Sequence, residues 1–317
     1  MNRTAAFVSA LALCLSLAAC GGSDEGTADA AETAEPVKIE NCGAAYTFAK
    51  APERVVTSST VATEVILALG LKDRLAGTVA AKDIVPEHAS GLEGVKVIAE
   101  SAFPPPSKEV VYSANPDLVV SGYPDDYGDK AMGDRATLRE EGVNTYLLSA
   151  NCPGHKAKVD DVYADITALG KVFGVEQAAE DLVAGLKGDT DAVEPVGGRP
   201  KVFDYAGGRD KPATAGSNAL IDDLIARAGG ENIFPDVTSY KQVSWEEVVK
   251  RDPDVIVVED QAFEPADEAI AFMKSFGPLK GVTAVKENRF VAVPVNDTQP
   301  GIRGPRALKT LVAGFGG

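Results

Sequence analysis

Short apolar stretches alternate along most of this chain with segments whose apolar residues recur every three or four positions. After Pro52, residues Arg54–Ser58 are β-branched and extended, and read as a strand. Val61–Leu69 follows, with Ala62, Val65, Ile66 and Leu69 on one helical face and Gly70 placed to close the helix. Leu75–Val79 predicts a second strand and Val95–Ile98 a third. Ser107 opens a short helix, which Asn115, Pro116 and Asp117 break before the apolar strand Leu118–Val120. A polar helix is expected near 129–141, ending at Gly142, and Val143–Leu148 gives a further strand.

From Val159 to about Gly188 the pattern is helical nearly throughout, interrupted at Gly174. Beyond Glu176, residues Ala179, Leu182, Val183 and Leu186 share a face, and Pro195, Gly197, Gly198 and Pro200 end the run. The alternation then restarts: strand Val202–Tyr205, helices 217–228 and 244–251, strand Val255–Val258, helix 266–275 and strand Phe290–Val293. Short apolar strands alternating with helices predict an α/β protein with mostly parallel sheets. The expected architecture is two βα lobes, 39–172 and 197–317, joined by a single long helix over 173–196, with a ligand cleft between the lobes. No internal repeat is visible.

The first residues have a different character. Arg3 is followed by an apolar run, Ala5–Ala19, too short for a membrane span of about 20 residues but suited to the core of a secretory signal over residues 1–19. Leu17, Ala18, Ala19 and Cys20 resemble the bacterial lipobox. That resemblance implies cleavage before Cys20, lipid on the new N-terminal cysteine, and an extracytoplasmic protein anchored to the cell membrane. Residues 21–38 are small and acidic, with Val37 the one large apolar side chain, so residues 20–38 are expected to form a flexible linker spanning roughly 20–25 Å.

The net charge of −16 repels polyanions and argues against nucleic-acid binding. Cys14 leaves with the signal, so Cys42 and Cys152 remain as an even pair in an oxidising compartment, where a disulfide is the default. A metal site built from Cys42, Cys152 and His155 is the sharper alternative, but it lacks a fourth ligand.

Six segments, in order, carry a family resemblance. They are Pro52–Val56, Ala62–Leu71, Asn115–Val120, Ala228–Phe234, Val243–Val248 and Asp252–Val257. Together they resemble the iron-siderophore and cobalamin class of ABC-transporter substrate-binding proteins over nearly all of the body. The resemblance implies two lobes bridged by a helix, capture of a ferric chelate or corrinoid between them, and delivery to a permease dimer. It also implies one docking carboxylate on each lobe. Glu64 matches the first position, in the opening turn of its helix, where the helix dipole favours a carboxylate. On the second lobe Ser244 and Glu247 spell a capping box, which leaves Glu246 projecting outward as the docking residue.

Ligands of such proteins sit at the carboxyl ends of strands, in the crevice between lobes. The expected binding residues are therefore Ser59 and Thr60 after the first strand, Tyr123 and Tyr127 after Val120, Arg209 after the 202–205 strand, and Arg303. Tyr240 can stack on an organic ligand; the single tryptophan, Trp245, reads first as core against Val248 and Val249 and second as a cleft residue. An arginine fork suits the oxygens of an iron chelate. Bare-metal capture fits poorly with two histidines, so no metal site or cofactor of the protein's own is expected and the chelator supplies iron's ligands. A ferric siderophore, with hydroxamates preferred, is the expected cargo; cobalamin, or heme ligated by a tyrosinate or His88, is the alternative. An exported α/β enzyme or sensor is more remote, since no Gly-x-Ser-x-Gly elbow, Walker loop or dinucleotide fingerprint is present. The protein is expected to be a monomer and not an enzyme.

Overall fold

The computed structural model describes residues 35–316. The signal, Cys20 and most of the expected linker lie outside the described residues. The first two strands, β1 (Val37–Asn41) and β2 (Ala44–Phe48), pair as an antiparallel hairpin. Val37 and Lys38, assigned above to the linker, thus begin the folded body. Val37 and Ile39 pack on the core beneath Tyr46 and Phe48 while Lys38 and Glu40 face water, a period-two pattern that the acidic flank conceals.

The first lobe continues through β3 (Val55–Thr57), α1 (Thr60–Ala68), β4 (Leu75–Val79), α2 (Pro86–Ala89), β5 (Val97–Ala99), α3 (Lys108–Tyr112), β6 (Leu118–Ser121), α4 (Arg135–Glu140) and β7 (Asn144–Leu147). Its five strands pair in parallel in the order β5-β4-β3-β6-β7. Helix α4 is shorter than the pattern predicts because Asp134 caps it, accepting the amides of Ala136 and Thr137 at 2.9 and 3.0 Å.

Two helices lead to the second lobe: α5 (Val159–Phe173) and α6 (Glu176–Asp191). The break falls at Gly174, whose left-handed φ of 68° closes α5 as a residue without Cβ does readily. The second lobe comprises β8 (Lys201–Tyr205), β9 (Ala213–Ala215), α7 (Leu220–Arg227), β10 (Glu231–Asn232), β11 (Tyr240–Gln242), α8 (Trp245–Arg251), β12 (Val255–Asp260), α9 (Ala266–Ser275), α10 (Thr283–Lys286), β13 (Phe290–Pro294), α11 (Val295–Thr298) and α12 (Gly304–Phe315). Its main sheet is parallel, β10-β8-β12-β13, and β9 pairs with β11 at one side. Helix α12 escaped the sequence pattern because Gly301, Gly304, Pro305 and Gly314 punctuate it; Ala307, Leu308, Leu311 and Phe315 nonetheless form a buried face.

One core is shared between the lobes. Val55, Leu118 and Val120 from the first sheet belong to the same apolar cluster as Ile166 and Leu169 of α5, Ile221 of α7, Val257 of β12 and Leu311 of α12. The disulfide between Cys42 and Cys152 is formed, with Cα atoms 5.2 Å apart, and ties the hairpin to the chain beyond β7. Its formation overturns the alternative of a cysteine–histidine metal site; His155 instead lies 2.9 Å from Asp161.

Candidate functional site

In a parallel α/β sheet, a crevice opens at the carboxyl ends of the strands where the order of connection reverses. In the first sheet that reversal lies at β3 and β6, between the loops at 58–60 and 122–127. In the second it lies at β8 and β12. Carboxylates stand at both places.

Asp126, in the turn after β6, is fully buried. Its Oδ2 receives the hydroxyls of Ser58, at 2.5 Å, and Ser121, while Oδ1 has no hydrogen-bond partner among the described residues. Burial pushes its pKa up to about 6, and the two hydroxyls only partly offset this. Asp204 of β8 is registered with Val257, so Glu259, two residues further along β12, lies on the same face of the sheet. Asp204 Oδ2 accepts the Ala215 amide at 3.1 Å and Oδ1 has no partner among the described residues. Glu259 Oε1 accepts the hydroxyls of Tyr240 at 2.9 Å and Thr298 at 3.2 Å. Burial raises both carboxyl groups, and the charge of Glu259 raises Asp204 further.

The two lobes meet over this crevice. Burial raises the Tyr123 phenol to about 12, and the fields of Asp126 in its own lobe and Glu259 in the other add to the effect. At Gly301, an added Cβ would sit 3.0 Å from Cβ of Val61 in α1.

Of the residues expected from sequence, Tyr123 and Tyr240 reach this crevice. Tyr123 packs on Phe103 at 4.9 Å between ring centroids. Ser59 caps α1 through the Ala62 amide, and the Thr60 hydroxyl donates to the carbonyls of Ala80 and Lys82; both serine and threonine are buried. Tyr127 is not a crevice residue. Its hydroxyl donates to the carbonyls of Val119 and Tyr146 and its ring belongs to the core behind the sheet. Trp245 likewise takes the core role, against Phe203, Tyr205, Phe272 and Phe276, with Nε1 donating to the Arg209 carbonyl at 2.7 Å.

The arginines are already paired. Arg209 binds Glu264 at 2.9 Å and Glu268 at 3.1 Å. Arg303 is buried and bonded to Glu64 and Asp297. Glu64 is therefore not the exposed docking carboxylate expected, nor does it sit in its helix's first turn: α1 begins at Thr60, Glu64 is fully buried, and Oε1 also accepts the Val85 amide at 2.8 Å. Glu246 is exposed as expected. Ser244 caps α8 through the Glu247 amide, but the capping box is half formed, since the Glu247 carboxylate turns to Arg251 and Lys250. His88 is half-buried on α2.

Asp126, Asp204, Glu259, Phe103 and Phe263 were not singled out. An acidic residue at the carboxyl end of an apolar strand, as at Asp204 and Glu259, was the signal available. Cavities of about 550 Å³, beside β1, α5 and α6, and about 430 Å³, beside the disulfide, lie outside the crevice. Among the described residues no group of three histidine, cysteine or acidic side chains can hold a metal ion, and no described helix is long and apolar enough to cross a membrane.

Two parallel sheets, each flanked by helices and each with polar groups at its switch point, define a two-lobed α/β protein. The chain belongs to the periplasmic binding protein family, whose profile matches residues 55–296. It is 27% identical over 261 residues to a cobalamin-binding protein of Halobacterium salinarum, covering 80% of this chain and 66% of that one, just under two thirds of its length. It is 26% identical to an uncharacterized ABC transporter substrate-binding lipoprotein of Bacillus subtilis, covering 98% of this chain and 95% of that one. The fold is also similar to the crystal structure of an ABC-type Fe3+-hydroxamate transport system protein from Saccharomonospora viridis, with a TM-score of 0.76 and 25% identity over 89% of this chain and 100% of that one. Other relatives are named as vitamin B12-binding proteins, such as that of Yersinia pestis, 28% identical over 66% of this chain and 70% of that one.

Proposed function

We propose that the protein captures a ferric hydroxamate chelate in the crevice and hands it to the permease of an ABC importer, tethered outside the cytoplasm by lipid on Cys20. The observation that carries this reading is the set of exposed aromatic side chains at the carboxyl ends of the strands. Phe103, packed on Tyr123, is 60% exposed; Phe263, in the turn after β12, is 76% exposed; and Tyr240, bonded to Glu259, is 39% exposed. Such rings stack on an organic ligand whose own atoms enclose the metal. The likeness to the Saccharomonospora protein supports the same class of cargo.

A corrinoid is the second reading, supported by the likeness to the halobacterial cobalamin-binding protein. Heme fits less well. Its propionates would meet buried carboxyl groups rather than free arginines, and the Tyr123 phenol is raised to about 12, against formation of a tyrosinate. Glu246 remains the exposed carboxylate suited to docking on the permease.

Calorimetric titration of the purified protein with ferric hydroxamates, ferric catecholates, heme and cobalamin tests this reading. Calorimetry is preferable to tryptophan emission because Trp245 lies in the core of the second lobe. Submicromolar binding of a ferric hydroxamate, with the iron-free chelator much weaker, supports it. Tight binding of cobalamin or heme alone replaces the cargo.

A further inference from the structure

We propose that the crevice selects a positively charged cargo, a chelate carrying a protonated amine on its periphery that is seated against Asp126, Asp204 and Glu259. This deepens the function proposed above and rests on it.

Three observations carry it. The arginines expected to meet an anionic ligand are consumed: Arg209 by Glu264 and Glu268, Arg303 by Glu64 and Asp297. The acidic groups, by contrast, have no cationic partner among the described residues. Two of their oxygens, Asp126 Oδ1 and Asp204 Oδ1, are fully buried and accept nothing from the described residues. A buried acceptor left unsatisfied is destabilising, so such atoms beside a binding crevice indicate a donor that arrives with the ligand.

Their placement also points to a ligand. Asp126 stands at the switch point of the first sheet, and Asp204 and Glu259 stand at that of the second. An ammonium offers three N–H donors and no acceptor, which suits acceptor oxygens that have no donor of their own. A bare metal ion does not fit, because no described cluster assembles enough ligands. The overall charge of −16 would draw a cation toward the protein as well.

The test compares two pairs of probes by calorimetry at fixed pH and ionic strength. The first pair is a ferric linear trihydroxamate with a free terminal amine and the same complex with that amine acetylated. The second is aquocobalamin, which is cationic, and cyanocobalamin, which is neutral. The cationic chelate is expected to bind at least about tenfold tighter than its acetylated form, the gain of a charge-assisted hydrogen bond. That preference should fall in Asp126→Asn and separately in Glu259→Gln, each checked for folding by thermal denaturation. If neither chelate binds but aquocobalamin is preferred over cyanocobalamin, the hydroxamate reading fails and the charge preference stands. Equal affinities within the pair that binds, tighter binding of the neutral probe, an undiminished preference in both folded variants, or no binding of any probe overturns the proposal.

Discussion

Glu64 and Arg303, separated by 239 residues in the chain, join the two lobes through a two-point ion pair. Arg303 Nε donates to Oε2 at 2.7 Å and Nη2 donates to Oε1 at 2.5 Å. Arg303 also meets the Asp83 carbonyl and Asp297, and Asp297 in turn binds Arg306 at 2.7 Å. Charges alternate along this chain of contacts, and Glu64, Arg303 and Asp297 are all buried.

Breaking one end of such a pair strands a buried charge. Arg303→Met is expected to destabilise the protein by about 3–5 kcal/mol in denaturant unfolding. The double variant Glu64→Leu, Arg303→Met should recover much of that loss, because neither charge is then left alone. A double variant no more stable than Arg303→Met would show that the pair is not the cause.

Asp165 of α5 makes stability depend on pH. Its carboxylate accepts the Tyr146 hydroxyl at 2.7 Å, the Ser149 amide at 2.8 Å and the Ser149 hydroxyl, clamping α5 to the end of the first sheet. Burial nonetheless raises its pKa to about 7, the hydrogen bonds offsetting only part and Asp161 adding a little. The folded state therefore holds a proton that the unfolded chain releases near pH 4. This contribution is fully present below about pH 4 and is lost as pH rises through about 7, amounting to at most about 4 kcal/mol. Unfolding free energies measured from pH 4 to 8 should fall more steeply for the wild type than for Asp165→Asn; parallel curves would refute the assignment.

The disulfide spans 110 residues, so it removes freedom chiefly from the unfolded chain. The Cys42→Ser, Cys152→Ser variant should lose up to about 4–5 kcal/mol of stability on the chain-entropy model. Ligand affinity should change little, since the bridge lies on the hairpin side of the first lobe. Chemical denaturation and calorimetry on the same preparation separate the two effects.

Glu246 is exposed at the start of α8 and held below the usual carboxylate range by its own backbone amide and the Ser244 hydroxyl. If it docks on the permease, Glu246→Lys should lower uptake of a labelled ferric chelate by about tenfold or more while leaving its dissociation constant unchanged. Unaltered uptake by cells carrying this variant would remove Glu246 from the interface.

Much of the fold was legible locally. Apolar strands such as Leu75–Val79 and Val255–Val258, and the breaks at Gly174 and Asn115–Asp117, follow from periodicity and backbone preference. The hairpin was hidden because its outward residues continue the acidic flank. Helix α12 was hidden because glycine and proline interrupt an otherwise helical face. For the site, position in a loop after a strand was readable, and it brought Tyr123 to the crevice. It failed for Tyr127, Arg209 and Arg303, whose side chains turn into the core or toward neighbouring carboxylates.

The sequence by itself therefore determined the alternation of strand and helix, the division into two βα halves and the cysteine pair, because each depends on local pattern or on composition. The tertiary structure alone decided which charges are paired. Glu64 reads as a surface carboxylate and Arg303 as a ligand-facing cation until folding buries them against each other. Asp126, Asp204 and Glu259 read as ordinary acids until it leaves them without a cationic partner among the described residues. Electrostatic character is set by distance and burial, and contacts between residues 239 positions apart are not written in any window of the chain.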